Sequence, residues 1–137
     1  MPAATAADTV MIARPDAPHL PHKAPIDAYG NGGFRFAGMS HRGSLLCLPS
    51  GIWAWPVAAP EDIAEANLTP LFAEADAIEL FVLGSGPELR PLPEALRWRF
   101  RDYRIGLEVM ATGAAVRTYN ILVGEGRRVA AGLIAVG

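Results

Sequence analysis

Alternation of hydrophobic and polar positions in the first half of the chain predicts short antiparallel strands. Residues 26–38 predict two strands around a glycine-rich turn, and "SHRG" at 40–43 predicts the next turn. The apolar run 44–49 and the alternating segment 52–57 predict two more strands. Four short strands joined by turns indicate a meander-type antiparallel sheet.

The second half of the chain changes to a helical period that is interrupted by apolar runs. The predicted elements are, in order, one broken helix or two short helices over 60–75, a strand over 77–84, a helix over 92–104, a strand over 107–110, a helix over 112–126 and a strand over 127–136. Strands separated by helices of this length run parallel through right-handed crossovers. The pattern therefore predicts an α/β fold in which β-α-β-α-β follows the meander and the helices pack on one side.

Length and composition limit the class of protein. The 137 residues fit one domain, and 51% hydrophobic against 19% charged residues is the balance of a globular chain. The Ala- and Pro-rich segment 1–22 predicts a flexible tail without a secretory signal, which leaves 23–137 as a single domain. A net charge of −2 predicts no attraction to nucleic acid, and no segment is apolar enough to predict a membrane span.

The cysteine and the histidines predict no metal site. Cys47 is the only cysteine, lies in an apolar run and is predicted to fill the core. His19 and His22 fall in the predicted tail, where nothing holds ligands in place. His41 falls in a predicted turn with no carboxylate nearby in sequence, so no catalytic residues are predicted.

The stretch "GSGP" raises the question of a phosphate-binding loop. If strands 77–84 and 107–110 are parallel neighbours, Gly84, Ser85, Gly86 and Thr112 meet at one edge of the sheet, where ligands of open α/β sheets bind. The dinucleotide and phosphate-loop fingerprints are both incomplete, so no cofactor is predicted. A strand-to-helix turn is favoured, and a pocket for a small anion or carboxylate is the alternative.

Polar residues in the last predicted helix have two interpretations. Thr118, Asn120, Glu125 and Arg127 form a polar wall of the same cleft in the functional interpretation. In the structural interpretation, Asn120 bonds a neighbouring turn and Glu125 pairs with Arg127.

An aromatic and basic surface is the candidate for partner binding. Arg97, Arg101 and Arg104 line one face of a predicted helix, and Trp98 lies off its apolar face. Together with Trp53 they predict an exposed surface for a protein partner.

Four features of the chain stand out together: Gly84-x-Gly86, Thr118-x-Asn120, Glu125-Gly126-Arg127 and the aromatic Trp55. In these features the chain resembles a family of small α/β domains that includes mitochondrial complex I assembly factor 3 and the adipogenesis-associated Mth-domain protein. The resemblance spans residues 26–135 and implies a three-layer fold, with two layers of sheet and one of helix. It implies a partner-binding role in building complex I, and it supplies no catalytic residues.

Two hypotheses of function follow. The first is a bacterial, non-catalytic interaction protein of the cytoplasm, peripheral to the inner membrane, whose partners are complex I subunits or assembly factors. The alternative is a small-molecule or anion-binding protein, or an enzyme, that uses the cleft edge at Gly84–Gly86.

Overall fold

Two sheets and three helices make up the computed structural model, which describes residues 17–137. The strands are β1 (Ala28–Gly30), β2 (Gly33–Phe36), β3 (Met39–Arg42), β4 (Ser44–Leu48), β5 (Gly51–Trp55), β6 (Leu80–Gly84), β7 (Gly106–Met110) and β8 (Val129–Leu133). The helices are α1 (Glu65–Phe72), α2 (Glu94–Asp102) and α3 (Thr112–Gly124), with short 3-10 turns at Pro60–Asp62 and Ala75–Ala77.

A five-stranded mixed sheet with the order β5-β4-β8-β6-β7 forms the centre. Strand β4 is antiparallel to β5 and β8, whereas β6 is parallel to β7 and β8. The predicted α/β fold class is confirmed, and so is the β-α-β-α-β order of the second half.

The first half divides between two sheets. Strands β1, β2 and β3 form a separate antiparallel sheet, and β4 and β5 belong to the central one. The prediction of a turn at 40–43 is wrong, because these residues lie largely in β3 and the turn precedes them at Ala37 and Gly38, which have φ angles of 51° and 76°. The predicted antiparallel meander of the first half is confirmed, but it consists of β1, β2 and β3, because β4 and β5 join the central sheet instead.

Helices cover both faces of the central sheet, so the prediction that they pack on one side is wrong. Helices α1 and α2 bury Leu68 and Phe100 against one face, and α3 buries Val116 against the other, beside the three-stranded sheet. The strand order explains this arrangement. The chain moves outward from β6 to β7 and back past β6 to β8, and two right-handed crossovers in opposite directions place their helices on opposite faces.

Strand β8 is built from small side chains because it lies in the middle of both cores. All five of its residues are buried. At Gly132 the Trp55 and Phe81 rings approach the backbone so closely that a Cβ atom would lie 2.7 Å and 2.8 Å from their nearest carbons. Only glycine allows both rings to pack at this position.

Of the predicted tail 1–22, residues 1–16 lie outside the described part of the chain. Residues 17–25, called the strap from here on, run beside the edge of β5. The Ile52 amide donates to the Leu20 carbonyl oxygen over 2.9 Å, and the His19 amide donates to the Ile52 carbonyl oxygen over 2.8 Å. A domain boundary at residue 23 stays a prediction.

Gly132→Ala is expected to lower the free energy of unfolding by about 1–3 kcal/mol, because the added methyl group overpacks the contact with Trp55 and Phe81. Urea unfolding followed by circular dichroism measures the change. The matched control is Gly124→Ala at the end of α3, where a Cβ would meet nothing within 4 Å. Equal stability of the two variants would contradict the role given to Gly132.

Candidate functional site

Four of the predicted cleft residues meet at one edge of the central sheet. Gly84 ends β6 and pairs in register with Met110 at the end of β7. Ser85 and Gly86 follow directly, and Thr112 begins α3. The parallel pairing of β6 with β7, which the sequence predicts, therefore brings these four residues together.

The Thr112 hydroxyl connects three segments at this edge. It accepts a hydrogen bond from the Gly86 amide over 3.0 Å and donates to the Ile134 carbonyl oxygen over 2.7 Å. The side chain is fully buried. Ala111 precedes the helix as N-cap, and Thr112 is the first helical residue and caps nothing with its side chain. The hydroxyl is thus occupied with holding the loop to the strand end.

The Ser85 hydroxyl is also occupied by the main chain. It donates to the Glu88 carbonyl oxygen over 2.6 Å and accepts from the Arg90 amide over 2.8 Å. Ser85 is 1% exposed. A ligand at this loop would have to displace bonds that shape it, so the geometry favours the strand-to-helix turn.

A depression of about 290 Å³ lies beside the loop, lined in part by Glu61, Gly86 and Arg90. An ion pair of 2.8 Å joins Arg90 to Glu61. Hydrogen bonds, first from its own backbone and then from Arg90, lower the pKa of Glu61. Arg90, the cation that lines this depression, is already paired with a carboxylate. Anion binding here stays a prediction.

The structure does not bring Asn120 of α3 to the cleft edge. Asn120 lies about 12 Å along the helix axis from Thr112, at 1.5 Å per residue. Its side chain bonds the amide and the carbonyl of Ile26, each over 2.8 Å. This pair of bonds ties α3 to the segment that leads into β1.

The remaining members of the proposed polar wall have other partners. Thr118 Oγ1 donates to the Met110 sulfur over 3.4 Å. Arg127 follows α3 and pairs with Glu79 over 3.2 Å, so the expected ion pair with Glu125 is replaced. That pairing lowers the pKa of Glu79.

The predicted partner surface is partly assembled on α2. Trp98 is 51% exposed, and the Arg101 guanidinium lies 4.8 Å from its ring centroid. Arg97 donates to the Leu92 carbonyl oxygen over 2.6 Å, and Arg104 is exposed just beyond the helix. Arg97, Trp98 and Arg101 line a shallow depression of about 170 Å³ and are called the Trp98 surface.

Trp53 lies apart from the Trp98 surface. It belongs to β5 at one edge of the central sheet, whereas α2 packs on β7 at the other edge. Its indole N–H donates to the Ser50 hydroxyl over 3.1 Å, and its ring packs against the core. The two tryptophans therefore do not form one patch.

The sequence analysis missed a contact between a buried histidine, His41, and a half-buried one, His19. His41 is 6% exposed, and its ring centroid lies 4.5 Å from that of His19. Burial, followed by the proximity of His19, lowers the pKa of His41 to about 4, and burial lowers the pKa of His19. The available signal was the alternation of Met39 and His41, which places both side chains on one face of a strand.

Within residues 17–137, no three His, Cys, Asp or Glu side chains converge in a way that could hold a metal ion. Cys47 is fully buried in the core, as predicted. Burial raises the pKa of its thiol to about 12, so the thiol is protonated at neutral pH.

Such a fold, with a small antiparallel sheet beside a mixed five-stranded one, defines a class of small α/β domains. The sequence profile described as "Protein of unknown function (DUF498/DUF598)" matches residues 26–134. The chain belongs to this family.

Two relatives show how far the similarity extends. An uncharacterised protein of Rhodobacter capsulatus is 37% identical over 120 residues, which cover 88% of this chain and 91% of that protein. Human NADH dehydrogenase [ubiquinone] 1 alpha subcomplex assembly factor 3 is 32% identical over 109 residues, which cover 80% of this chain and 59% of the human protein. The chain thus spans about three-fifths of the assembly factor, and the resemblance to its family is confirmed.

A solved structure supports the same grouping. The crystal structure of a protein from Bartonella henselae, described as an outer membrane protein, superimposes with a TM-score of 0.84 at 51% identity. The match covers 87% of this chain and all (100%) of that one. Among the described residues of the present chain, none of the helices has the length and hydropathy needed to cross a membrane.

Thr112→Val is expected to lower the free energy of unfolding by about 2–4 kcal/mol, because the Gly86 amide and the Ile134 carbonyl both lose a buried partner. Thr112→Ser keeps the hydroxyl and is the matched control, with an expected loss of about 1 kcal/mol for the missing methyl group. Urea unfolding compares the two variants. A valine variant as stable as the serine variant would show that the hydroxyl does not hold this edge.

Proposed function

We propose that this protein is a non-catalytic, partner-binding protein that serves the assembly of respiratory complex I. The observation that carries the proposal is the 32% identity to human NADH dehydrogenase [ubiquinone] 1 alpha subcomplex assembly factor 3. The similarity covers 80% of this chain, so it involves the whole fold and not one motif.

The buried hydroxyls support binding over chemistry. Ser85 and Thr112 bond the main chain at the cleft edge. Ser44 donates to the Val57 carbonyl oxygen and accepts from the Ala135 amide. A hydroxyl that acts as a nucleophile needs an adjacent base, and each of these three has backbone partners instead.

The Trp98 surface is the proposed docking site. An exposed tryptophan beside arginines is the composition of energetic hot spots in protein interfaces. Among the described residues, Arg97 and Arg101 make no salt bridge, whereas Arg99 on the same helix pairs with Glu65 over 2.9 Å. The two arginines of the surface therefore keep their charges available for a partner.

The chemistry of this surface suits an acidic partner segment. The guanidinium groups of Arg97 and Arg101 can each pair with a carboxylate, and the half-exposed Trp98 ring beside them offers an apolar contact. Glu94 at the rim of the depression is the one opposing charge among its lining residues. We expect the partner to present Asp or Glu side chains next to an apolar residue.

The proposed location is the cytoplasm, with peripheral attachment at the inner membrane where complex I is assembled. Fractionation of the native host tests this placement. We expect recovery in the soluble fraction and with inner membranes, from which high salt releases the protein because the docking contact is electrostatic. The relative from Bartonella henselae is described as an outer membrane protein. Recovery with outer membranes would contradict the placement proposed here.

An affinity pull-down of the tagged full chain from its own host, followed by mass spectrometry, tests the proposed role. We expect enrichment of complex I subunits or assembly proteins. Trp98→Ala and the double variant Arg97→Glu/Arg101→Glu should each reduce that enrichment at least about tenfold, as loss of a hot spot does. The matched control is Arg117→Glu/Ile121→Ala on the exposed side of α3, on the opposite face of the central sheet.

One outcome would contradict the proposed role, and another would contradict the proposed docking site. The first is wild-type protein that enriches no complex I component, together with unchanged complex I activity after deletion of the gene. The second is equal enrichment by the Trp98-surface variants and the control, which would keep the role but remove this surface from it. Circular dichroism of each variant shows whether the fold is retained.

A further inference from the structure

We propose that the imidazole rings of His19 and His41 form a proton-sensitive latch that holds the strap on the edge of β5. Protonation of the latch releases the strap and leaves that edge open. This inference concerns a different part of the molecule from the Trp98 surface and does not depend on the role in complex I assembly.

The strap covers an edge that would otherwise be unpaired. Strand β5 is the outermost strand on its side of the central sheet. The amide and the carbonyl of Ile52 both bond the strap, at Leu20 and His19. Gly51 has a φ of +149°, and a Cβ there would overlap the Leu20 carbonyl oxygen. The absence of a side chain at Gly51 thus allows the strap to lie close to the backbone of β5.

The latch itself is a contact between the buried ring of His41 and the half-buried ring of His19. The His19 and His41 centroids are 4.5 Å apart, with an angle of 53° between the ring planes. His41 Nε2 lies 3.2 Å from the Ser44 carbonyl oxygen, so this nitrogen carries the hydrogen and Nδ1 has a free lone pair. Neither His41 Nδ1 nor His19 Nε2 has a hydrogen-bond partner among the described residues, although both are buried.

Among residues 17–137, no carboxylate pairs with either ring of the latch. The charged side chains on the elements around it are Arg35 of β2, Arg42 of β3 and Lys23 of the strap, all cationic. Neither β4 nor β5 carries a charged residue. Asp27, between the strap and β1, is exposed and does not act on the pKa of either histidine. Two imidazolium rings in contact would repel each other, and no described carboxylate offsets that repulsion.

The direction of the pH effect follows from burial. Both histidines have a pKa below the ordinary value of 6.5 while the strap is bound, so the released form binds protons more readily. The strap is therefore fully held above pH 6.5, and its hold weakens as pH falls from 6.5 towards 4. Release exposes the amide and carbonyl of Ile52, the groups with which a further strand would pair.

Amide hydrogen exchange of the full chain, measured by NMR at pH 7 and pH 5, tests the latch. The readout is the protection factor of the Ile52 amide, whose hydrogen-bond acceptor is the strap residue Leu20. We expect this factor to fall up to about 20-fold between pH 7 and pH 5, which is the ratio for one histidine whose pKa changes from about 4 to 6.5. The Val82 amide in β6 should keep its protection, because the central strands stay paired.

The control variants separate the latch from general acid sensitivity. In His19→Phe/His41→Phe the Ile52 protection should be equal at both pH values, whereas His22→Phe, at an exposed strap position, should behave as wild type. An NMR titration of wild-type protein should also show that His41 stays neutral down to about pH 5. Unchanged Ile52 protection in wild type, an equal loss in the double variant, or an equal loss at Val82 would each overturn the proposal.

Discussion

The position of β8 between β4 and β6 is the constraint on which the rest of the structure depends. Among the described strands, β8 alone directly links the antiparallel part of the central sheet to its parallel part. Its small side chains let Trp55 and Phe81 pack against it. The residues just after it continue this role, because the Ile134 amide bonds the Gly84 carbonyl and the Val136 carbonyl accepts from Gly32 in the three-stranded sheet. Both halves of the molecule are therefore anchored on one segment.

Local patterns of hydrophobicity predicted most elements of the second half. Apolar runs gave the core strands β6 and β8, and the spacing of Leu96 and Phe100 gave α2. The sides on which the helices pack could not be predicted in this way, because they depend on strand order, which is decided by contacts between distant segments. Strand β3 was missed since its residues Ser40, His41 and Arg42 are polar. The ring of His41 lies against His19 of the strap, a contact between distant segments.

The candidate sites also divide into features that local patterns predict and features that depend on distant contacts. Gly84, Ser85, Gly86 and Thr112 could be placed together because parallel strands end at a common edge. Trp98 could be placed at the surface from helical periodicity alone. No local sequence pattern encodes the partners of the hydroxyls, the bonds of Asn120 to Ile26 or the distance between Trp53 and Trp98. These features depend on contacts between segments that are far apart in the chain.

A nascent chain leaving the ribosome exposes β4 and β6 long before β8 is synthesised. Neither strand can complete its pairing until β8 arrives, and closing such long loops slows the folding of the native sheet. The edge of β4 that pairs with β8 thus stays uncovered until β8 is made, and unpaired strand edges favour contacts with chaperones or neighbouring chains. The domain can therefore fold cooperatively only after β8, its last strand, has been synthesised.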